Sequence, residues 1–208
     1  MTTPSATTER TAPRASVRRW RVVDIVVASV LGIASGVIFW VWNITYSPLS
    51  DVLGAALPGL QGLTAGPWLF AGVLGGLVIR KVGAAFYVEL LAAFASMLIG
   101  AQWGPDTLIS GVLQGLGAEL IFALFLYRRY TLGVAVLAGA AAALLEVPHE
   151  LIVYYPGLDA GFQWIFSISL VVSGAVIAGV GGWALARGLA ATGVLRRFAS
   201  GRERDADV

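Results

Sequence analysis

Three residues that can take up or release protons lie within one helical turn near position 150. Glu146, His149 and Glu150 stand at positions i, i+3 and i+4, so on a helix they share one face, which Tyr154 continues. Carboxylates and an imidazole can hold a cationic or amine-bearing ligand through charge-assisted hydrogen bonds. The same face could also be a solvated helix surface at a membrane boundary, and both interpretations stay open.

Aromatic residues are frequent in the same parts of the sequence as these acids. Tryptophan and tyrosine form lipid-facing belts at membrane interfaces by default. Among carboxylates, however, they can also form a cage for a flat cation, with a few polar groups fixing its position. We predict one substrate-binding pocket that contains Trp40, Tyr46, Trp68, Trp103, Gln114, Glu119, Glu146, His149, Glu150, Tyr154 and Trp164.

Two further carboxylates, Glu89 and Glu119, lie deep inside apolar stretches. At the helical rise they sit about 9 Å and about 12 Å from the same ends of two consecutive predicted helices. Two buried carboxylates at similar depth can share a proton. The sequence therefore predicts a buried carboxylate at Glu89, and for Glu119 either the floor of the pocket or the partner of Glu89.

Small residues recur every fourth position in the first apolar stretch, at Ala28, Gly32 and Gly36. Such a ridge lets another helix approach closely. The partner helix could belong to this chain or to a separate subunit, and the pattern alone does not choose between the two.

Several kinds of chemistry are excluded by residues that the sequence lacks. The only lysine, Lys81, is followed by Val82, so the phosphate-binding motif GxxxxGK(S/T) is absent and the chain cannot hydrolyse ATP by itself. There is no cysteine and only one histidine, which excludes thiolate and multi-histidine metal sites. We expect no enzyme activity, no metal and no cofactor.

The elements that would position these residues are membrane helices. Of the 208 residues, 58% are hydrophobic and only 12% are charged, which is typical of an integral membrane protein. Residues 17–190 are predicted as an all-α membrane domain, between a disordered tail at 1–16 and a charged tail at 191–208. The six transmembrane helices are predicted at about 22–42, 65–79, 83–101, 106–127, 132–154 and 162–187. Between the first two, the apolar centre of the connector 43–64 is predicted to form a short helix.

The positions of the positive charges predict the orientation of this bundle. All 14 Lys and Arg residues fall in the N-terminal tail, after the second and fourth helices, or at and beyond the end of the sixth. Because positive residues stay on the cytoplasmic side, both termini are predicted to be cytoplasmic. The net charge of +2 therefore reflects membrane topology, and we predict no nucleic-acid partner.

Three segments together resemble the YkoE family, the S components of energy-coupling-factor (ECF) transporters. They are GVIFWVWNITY (36–46), GPWLFAGVLGGLVIRKVGAAFYVEL (66–90) and, within 102–130, QWG followed by GVLQGLGAELIFALFLYRRY. The resemblance covers about residues 20–190. It implies a six-helix protein of the cell membrane that captures thiamine, or its hydroxymethylpyrimidine precursor, from outside.

The resemblance also implies partners. A transmembrane coupling subunit and two ATPase subunits would drive the import, and the first helix would dock on the coupling subunit through Ala28, Gly32 and Gly36. The substrate would lie in the outer half of the bundle, beneath loops that close over it.

Two other classes of function stay open at this point. A proton-coupled secondary transporter would use Glu89 and Glu119 as proton carriers. An intramembrane enzyme would use Glu146, His149 and Glu150 as acid–base groups or metal ligands, although no nucleophile motif supports it.

Overall fold

The structure, a computed structural model, describes residues 19–196, 198 and 200, and all regular elements in these residues are helical. Eight α-helices are joined by turns, one 3₁₀ segment and one π segment. In chain order they are α1 (Val22–Thr45), α2 (Ser47–Ala56), the 3₁₀ segment (Leu60–Trp68), α3 (Phe70–Ile79), α4 (Ala84–Ile99), α5 (Asp106–Leu124), α6 (Leu132–Val153), α7 (Ala160–Ser173), the π segment (Gly174–Gly181) and α8 (Gly182–Ala191).

Six helical stretches cross the bundle, which confirms the predicted six-helix membrane fold. Five of them are long and apolar enough to span a membrane: Val22–Thr45, Leu60–Ile79, Asp106–Leu124, Leu132–Val153 and Ala160–Ala191. The sixth is α4, a shorter apolar helix of 16 residues. The second and sixth crossings are longer than predicted, because the 3₁₀ segment extends α3 and because α7, the π segment and α8 run on without a break.

The predicted connector 43–64 is itself mostly helical. α1 continues to Thr45, and α2 begins immediately afterwards with Pro48 in its first turn, where a missing N–H group is tolerated. The chain then enters the 3₁₀ segment through Gly59, whose φ of 102° favours glycine.

The centre of the bundle is α3, all ten residues of which are buried. Neighbouring helices approach it closely at its glycines. A Cβ atom on Gly75 would lie 2.6 Å from the Cβ atom of Val88 in α4, and one on Gly76 would overlap the Phe122 ring of α5. The glycines of α3 therefore fix how closely α4 and α5 pack around it.

The small-residue ridge of α1 faces α4 of the same chain. Ala28 is 0% exposed, and Gly32 and Gly36 are also buried. A Cβ atom on Gly36 would lie 2.6 Å from both the Ala92 carbonyl oxygen and the Ala95 Cβ atom. The ridge is thus covered within the bundle, and the prediction that it forms a free docking surface for a coupling subunit is wrong for this structure.

Ser173, at the end of α7, holds the 3₁₀ segment in place. Its hydroxyl group donates to the Leu63 carbonyl oxygen at 2.5 Å and accepts from the Gly66 N–H group at 2.9 Å. Backbone groups of a 3₁₀ segment are less well paired than those of an α-helix, and Ser173 supplies a partner to two of them from α7.

Both ends of the described chain lie at the end of the bundle that carries the arginine-rich turns, which we call the basic end. The Trp20 indole N–H group donates to the Val82 carbonyl oxygen at 3.0 Å. The Ser200 hydroxyl group donates to the Val78 carbonyl oxygen at 3.1 Å. Leu195 and Phe198 are buried in the core. The predicted charged tail thus begins as packed chain, whereas the predicted tail 1–16 and residues 201–208 lie outside the described residues.

Candidate functional site

A cavity of about 320 Å³ lies between α1, α2, the 3₁₀ segment, α4, α5, α6 and α7, at the end opposite the basic end. Its size is within the range of small-molecule sites. Seven of the predicted pocket residues line it: Tyr46, Trp68, Trp103, Gln114, Glu146, Glu150 and Tyr154.

Three aromatic rings from three different elements form one wall of the cavity. The ring centroid of Trp68 lies 5.0 Å from that of Tyr46 and 5.4 Å from that of Trp103, and the two latter are 5.9 Å apart. The interplanar angles of Trp68 with its neighbours, 75° and 88°, are edge-to-face. We call these three residues the aromatic triad.

Hydrogen bonds from polar side chains, of which Asn43 and Ser96 are buried, fix the orientation of the triad. The Trp68 indole N–H group donates to Asn43 Oδ1 at 2.7 Å, and Asn43 Nδ2 donates to the Ser96 hydroxyl group at 3.1 Å. Gln102 Nε2 donates to the Tyr46 hydroxyl group at 3.1 Å. Since Asn43 and Ser96 also line the cavity, they are both supports and potential ligand contacts.

The opposite wall carries the acids of α6. Glu146 Oε1 lies 3.0 Å from His149 Nδ1, and His149 Nε2 lies 3.2 Å from Asp106 Oδ1 of α5. The other oxygen of Asp106 accepts from the Tyr154 hydroxyl group in a short hydrogen bond. With one proton between each nitrogen and its carboxylate, the ring pairs with both carboxylates at once.

Two tyrosines follow α6 and border these acids. Burial, together with the hydrogen bond to Asp106, raises the pKa of the Tyr154 phenol, so it stays protonated and donates. Burial and the nearby charge of Glu150 also raise the pKa of Tyr155, which lines the cavity beside it. Both phenols therefore remain neutral donors next to the carboxylates.

Some polar atoms of the cavity wall lack partners. Glu146 Oε2 and Thr107 Oγ1 are buried and form no hydrogen bond within the described part of the chain. A buried polar atom without a partner is unfavourable, so a ligand that supplies a hydrogen bond or a positive charge would stabilise the site. The described residues that line the cavity include Glu146 and Glu150 but neither lysine nor arginine.

Four of the predicted pocket residues lie elsewhere: His149, Trp164 and Trp40, and also Glu119, which caps a helix. His149 stands behind Glu146 and does not line the cavity, although it contacts a residue that does. Trp164 is 70% exposed on the outer face of α7, where the lipid belt is the simpler explanation. Trp40 is half-buried on α1 and also stays outside the cavity lining.

Glu119 is neither the pocket floor nor the partner of Glu89. Its carboxylate accepts from the backbone N–H groups of Gly83, Ala85 and Phe86, at 2.6, 2.9 and 3.3 Å, and from the Tyr127 hydroxyl group at 2.7 Å. It therefore caps the first turn of α4, whose N–H groups have no partner within the helix. Burial and this hydrogen bond raise the pKa of Tyr127.

Glu89 makes a similar contact one helix earlier. It is 1% exposed, and its Oε2 atom accepts from the Gly72 N–H group in the first turn of α3 at 2.5 Å, while Oε1 is without a partner among the described residues. Each deep carboxylate thus caps the helix that precedes its own. The prediction of a proton-sharing pair is wrong, and a secondary transporter that relies on that pair loses its structural basis.

Sequence reasoning missed several residues of the site, among them Asn43, Asp106 and Ser96. Asn43 could have been found, because an amide in an otherwise apolar membrane helix needs a partner. Asp106 is the first residue of α5, and its pairing with His149 across two helices has no signal in the local sequence. No group of three or more His, Asp or Glu side chains in the described residues could hold a metal ion.

Comparisons with known proteins agree over most of the chain. Residues 23–145 match a family model described as "ABC-type cobalt transport system, permease component". The chain is 33% identical over 188 residues to the putative HMP/thiamine permease protein YkoE of Bacillus subtilis (strain 168), which covers 89% of this chain and 92% of that protein. Its fold matches a crystal structure of an S-component of an ECF transporter with a TM-score of 0.83 and 32% identity, over 91% of this chain and 95% of the other.

Proposed function

Because the chain belongs to the YkoE family of ECF-transporter S components, we infer that it captures thiamine or its hydroxymethylpyrimidine precursor for import. The observation that carries this proposal is the combination of an aromatic triad and two carboxylates around a cavity of about 320 Å³. The relative from Bacillus is named for the same pair of ligands.

Thiamine has two flat rings, one of which carries a fixed positive charge, and each end of the cavity suits one of them. Glu146 and Glu150 line the α6 side, where a thiazolium would be held by charge. The aromatic triad gives a ring an edge and a face to stack against. Gln114 and Asn43 add amide groups that can pair with the ring nitrogen and amine of an aminopyrimidine.

Energy for the import comes from other subunits. The chain has no phosphate-binding loop, so ATP hydrolysis falls to partner ATPases that act through a transmembrane coupling subunit. Since the small-residue ridge of α1 is covered by α4, the coupling subunit would contact another face of the bundle.

Calorimetric titration of the purified protein in detergent tests the substrate. We expect sub-micromolar binding of thiamine, of its pyrimidine part, or of both. The variant Glu150→Gln should weaken thiamine binding roughly tenfold to hundredfold, because a hydrogen bond to a charged group contributes about 1.5–3 kcal/mol.

The matched control is Asp51→Asn, which removes one carboxylate from the exposed face of α2, outside the cavity lining. Its affinity should equal that of the unmodified protein. A folded protein that binds neither ligand would contradict the proposal, as would one that binds cobalt(II) in their place.

A further inference from the structure

A continuous line of proton-exchanging groups leads from the cavity to the surface, and ligand capture by charge and stacking does not require it. It runs from Glu146 through His149 to Asp106, with contacts of 3.0 and 3.2 Å. Exposure rises along the line: the side chains of Glu146, His149 and Asp106 are 3%, 9% and 26% exposed. The inner end faces the cavity and the outer end reaches solvent.

We propose that the site takes up its cationic ligand in exchange for a proton, which Glu146 and Glu150 share while the cavity is empty and which leaves through His149 and Asp106. The proposal rests on the proposed function, since it needs a ligand with a fixed positive charge. It assigns His149 a role as a positioning and proton-passing residue, in place of the direct substrate contact predicted from sequence.

The charges around the cavity carry the argument. α6 contributes Glu146, His149 and Glu150, and α5 contributes Asp106. The other titratable groups that face them are Glu89 of α4, which lies within electrostatic range of Glu146, and the tyrosines Tyr46, Tyr154 and Tyr155. Without a proton on the carboxylates, three negative charges of α5 and α6 would face at most one positive charge, that of the His149 ring, inside an apolar bundle, which is strongly unfavourable.

The geometry indicates which carboxylates hold the proton. Asp106 accepts from two donors, His149 and Tyr154, and is partly exposed, so its charge is well stabilised. Glu146 is paired with His149 through one oxygen only, and its other oxygen is buried without a partner among the described residues. Glu150 stands one turn further along the same face, so the two share one proton more easily than they carry two charges.

An arriving cation replaces that proton without changing the total charge of the site. His149 can pass the proton outward as a neutral imidazole with its own proton on Nε2, because its two nitrogens face two different carboxylates. Nδ1 takes up the proton from Glu146, and Nε2 releases its proton toward Asp106. The ring does not have to rotate for this transfer.

Exchange of one proton for one cation makes binding depend on pH in a defined direction. Affinity for thiamine should rise about tenfold for each pH unit in the range where the shared proton is displaced. The uncharged pyrimidine part brings no positive charge, so its affinity should stay nearly constant over the same range. This contrast separates proton exchange from a general effect of pH on the fold.

The test is calorimetric titration at one pH in two buffers with different ionisation enthalpies, which counts the protons released on binding. We expect about one proton per thiamine and close to none for the pyrimidine part. In Glu150→Gln the count for thiamine should fall toward zero, while retained binding of the pyrimidine part shows that the variant is folded. Asp51→Asn should release protons as the unmodified protein does.

The path of the proton through His149 and Asp106 is tested by a separate measurement, the rate of proton release. In His149→Gln, stopped-flow mixing with a pH indicator should show slower proton release, and the release rate should be unchanged in Asp51→Asn. Thiamine binding without proton release would overturn the exchange and leave the proposed function intact. Failure of both ligands to bind would overturn both, and an unchanged rate in His149→Gln would overturn the role of His149.

Discussion

At the scale of single residues, the two deep carboxylates show how a membrane protein satisfies helix ends that cannot reach water. Glu119 and Glu89 each accept N–H groups from the first turn of the preceding helix. An unsatisfied N–H group in a lipid-like environment destabilises the fold, so the first role of a carboxylate that accepts from it is to stabilise the protein. A polar residue deep in a membrane helix is therefore not sufficient evidence for transport chemistry.

Replacement of Glu119 tests this structural role. Glu119→Ala should lower the stability of the protein in detergent by about 2–3 kcal/mol, since it removes a helix cap and leaves buried donors unpaired. Thermal unfolding measures the loss. Thiamine affinity should be retained. A stable variant that has lost binding would support the alternative, in which Glu119 forms the floor of the pocket.

Asn43 offers a second prediction at this scale. Asn43→Ala removes the acceptor for the Trp68 indole group and the donor to Ser96, so the aromatic triad loses its fixed orientation. Ligand affinity should fall about fivefold, because one net hydrogen bond contributes about 1 kcal/mol. Titration measures the change, with Trp164→Ala on the exposed face of α7 as the control. Equal affinity in Asn43→Ala and the unmodified protein would contradict it.

At the scale of elements, the packing of α1 resolves an ambiguity that the sequence leaves open. Ala28, Gly32 and Gly36 predict a close helix contact, and the contact exists, but its partner is α4. Spacing every four residues specifies that a helix approaches, and not which helix. The identity of the partner is settled only by the whole bundle.

A substitution in this ridge distinguishes internal packing from docking. Gly36→Val should destabilise the isolated protein by about 1–3 kcal/mol, because its side chain has no room against Ala92 and Ala95. Unfolding of the purified protein, without any partner, measures the effect. Ala34→Val, at an exposed position of the same helix, should leave stability unchanged. A normal monomer that fails only to join its complex would restore the docking interpretation.

The elements that sequence reasoning placed least well are those without a regular period. Long apolar runs predict six crossings; five of them are long enough to span a membrane, and the remaining one, α4, is a shorter apolar helix. The 3₁₀ segment was assigned partly to a connector, because Pro67 and its glycines interrupt the helical pattern. Its place is fixed by Ser173, 110 residues beyond Leu63, and no local pattern can predict such a contact.

At the scale of the whole molecule, the site is assembled from side chains that are far apart in sequence. Tyr46, Trp68, Trp103 and Glu150 come from separate elements and meet in one cavity. All four were predicted from their residue type, because aromatic and acidic side chains near helix ends are suited to ligand contacts. Residue type could not exclude Trp164, whose position on the opposite face of α7 depends on the rotation of that helix in the bundle.

Membrane orientation is a prediction at this scale. Both ends of the described chain lie at the basic end, and the positive-inside rule places that end in the cytoplasm. Because the chain has no cysteine, single cysteines can report sidedness. An impermeant maleimide should label Leu158→Cys in intact cells and Arg129→Cys only after permeabilisation. The reverse pattern would invert the topology and close the cavity to external substrate.

The buried central helix also has a consequence for how the chain enters the membrane during synthesis. α3 has ten residues, so it spans about 15 Å, half of a hydrocarbon layer of about 30 Å. None of these residues is left facing lipid, and the carboxylate that caps α3 lies 17 residues after Gly72. As the chain leaves the ribosome, α3 is therefore made before its cap and before α4 and α5, which pack against it. The second crossing should accordingly wait at the insertion machinery until α4 has emerged, and the two should enter the bilayer together as a hairpin.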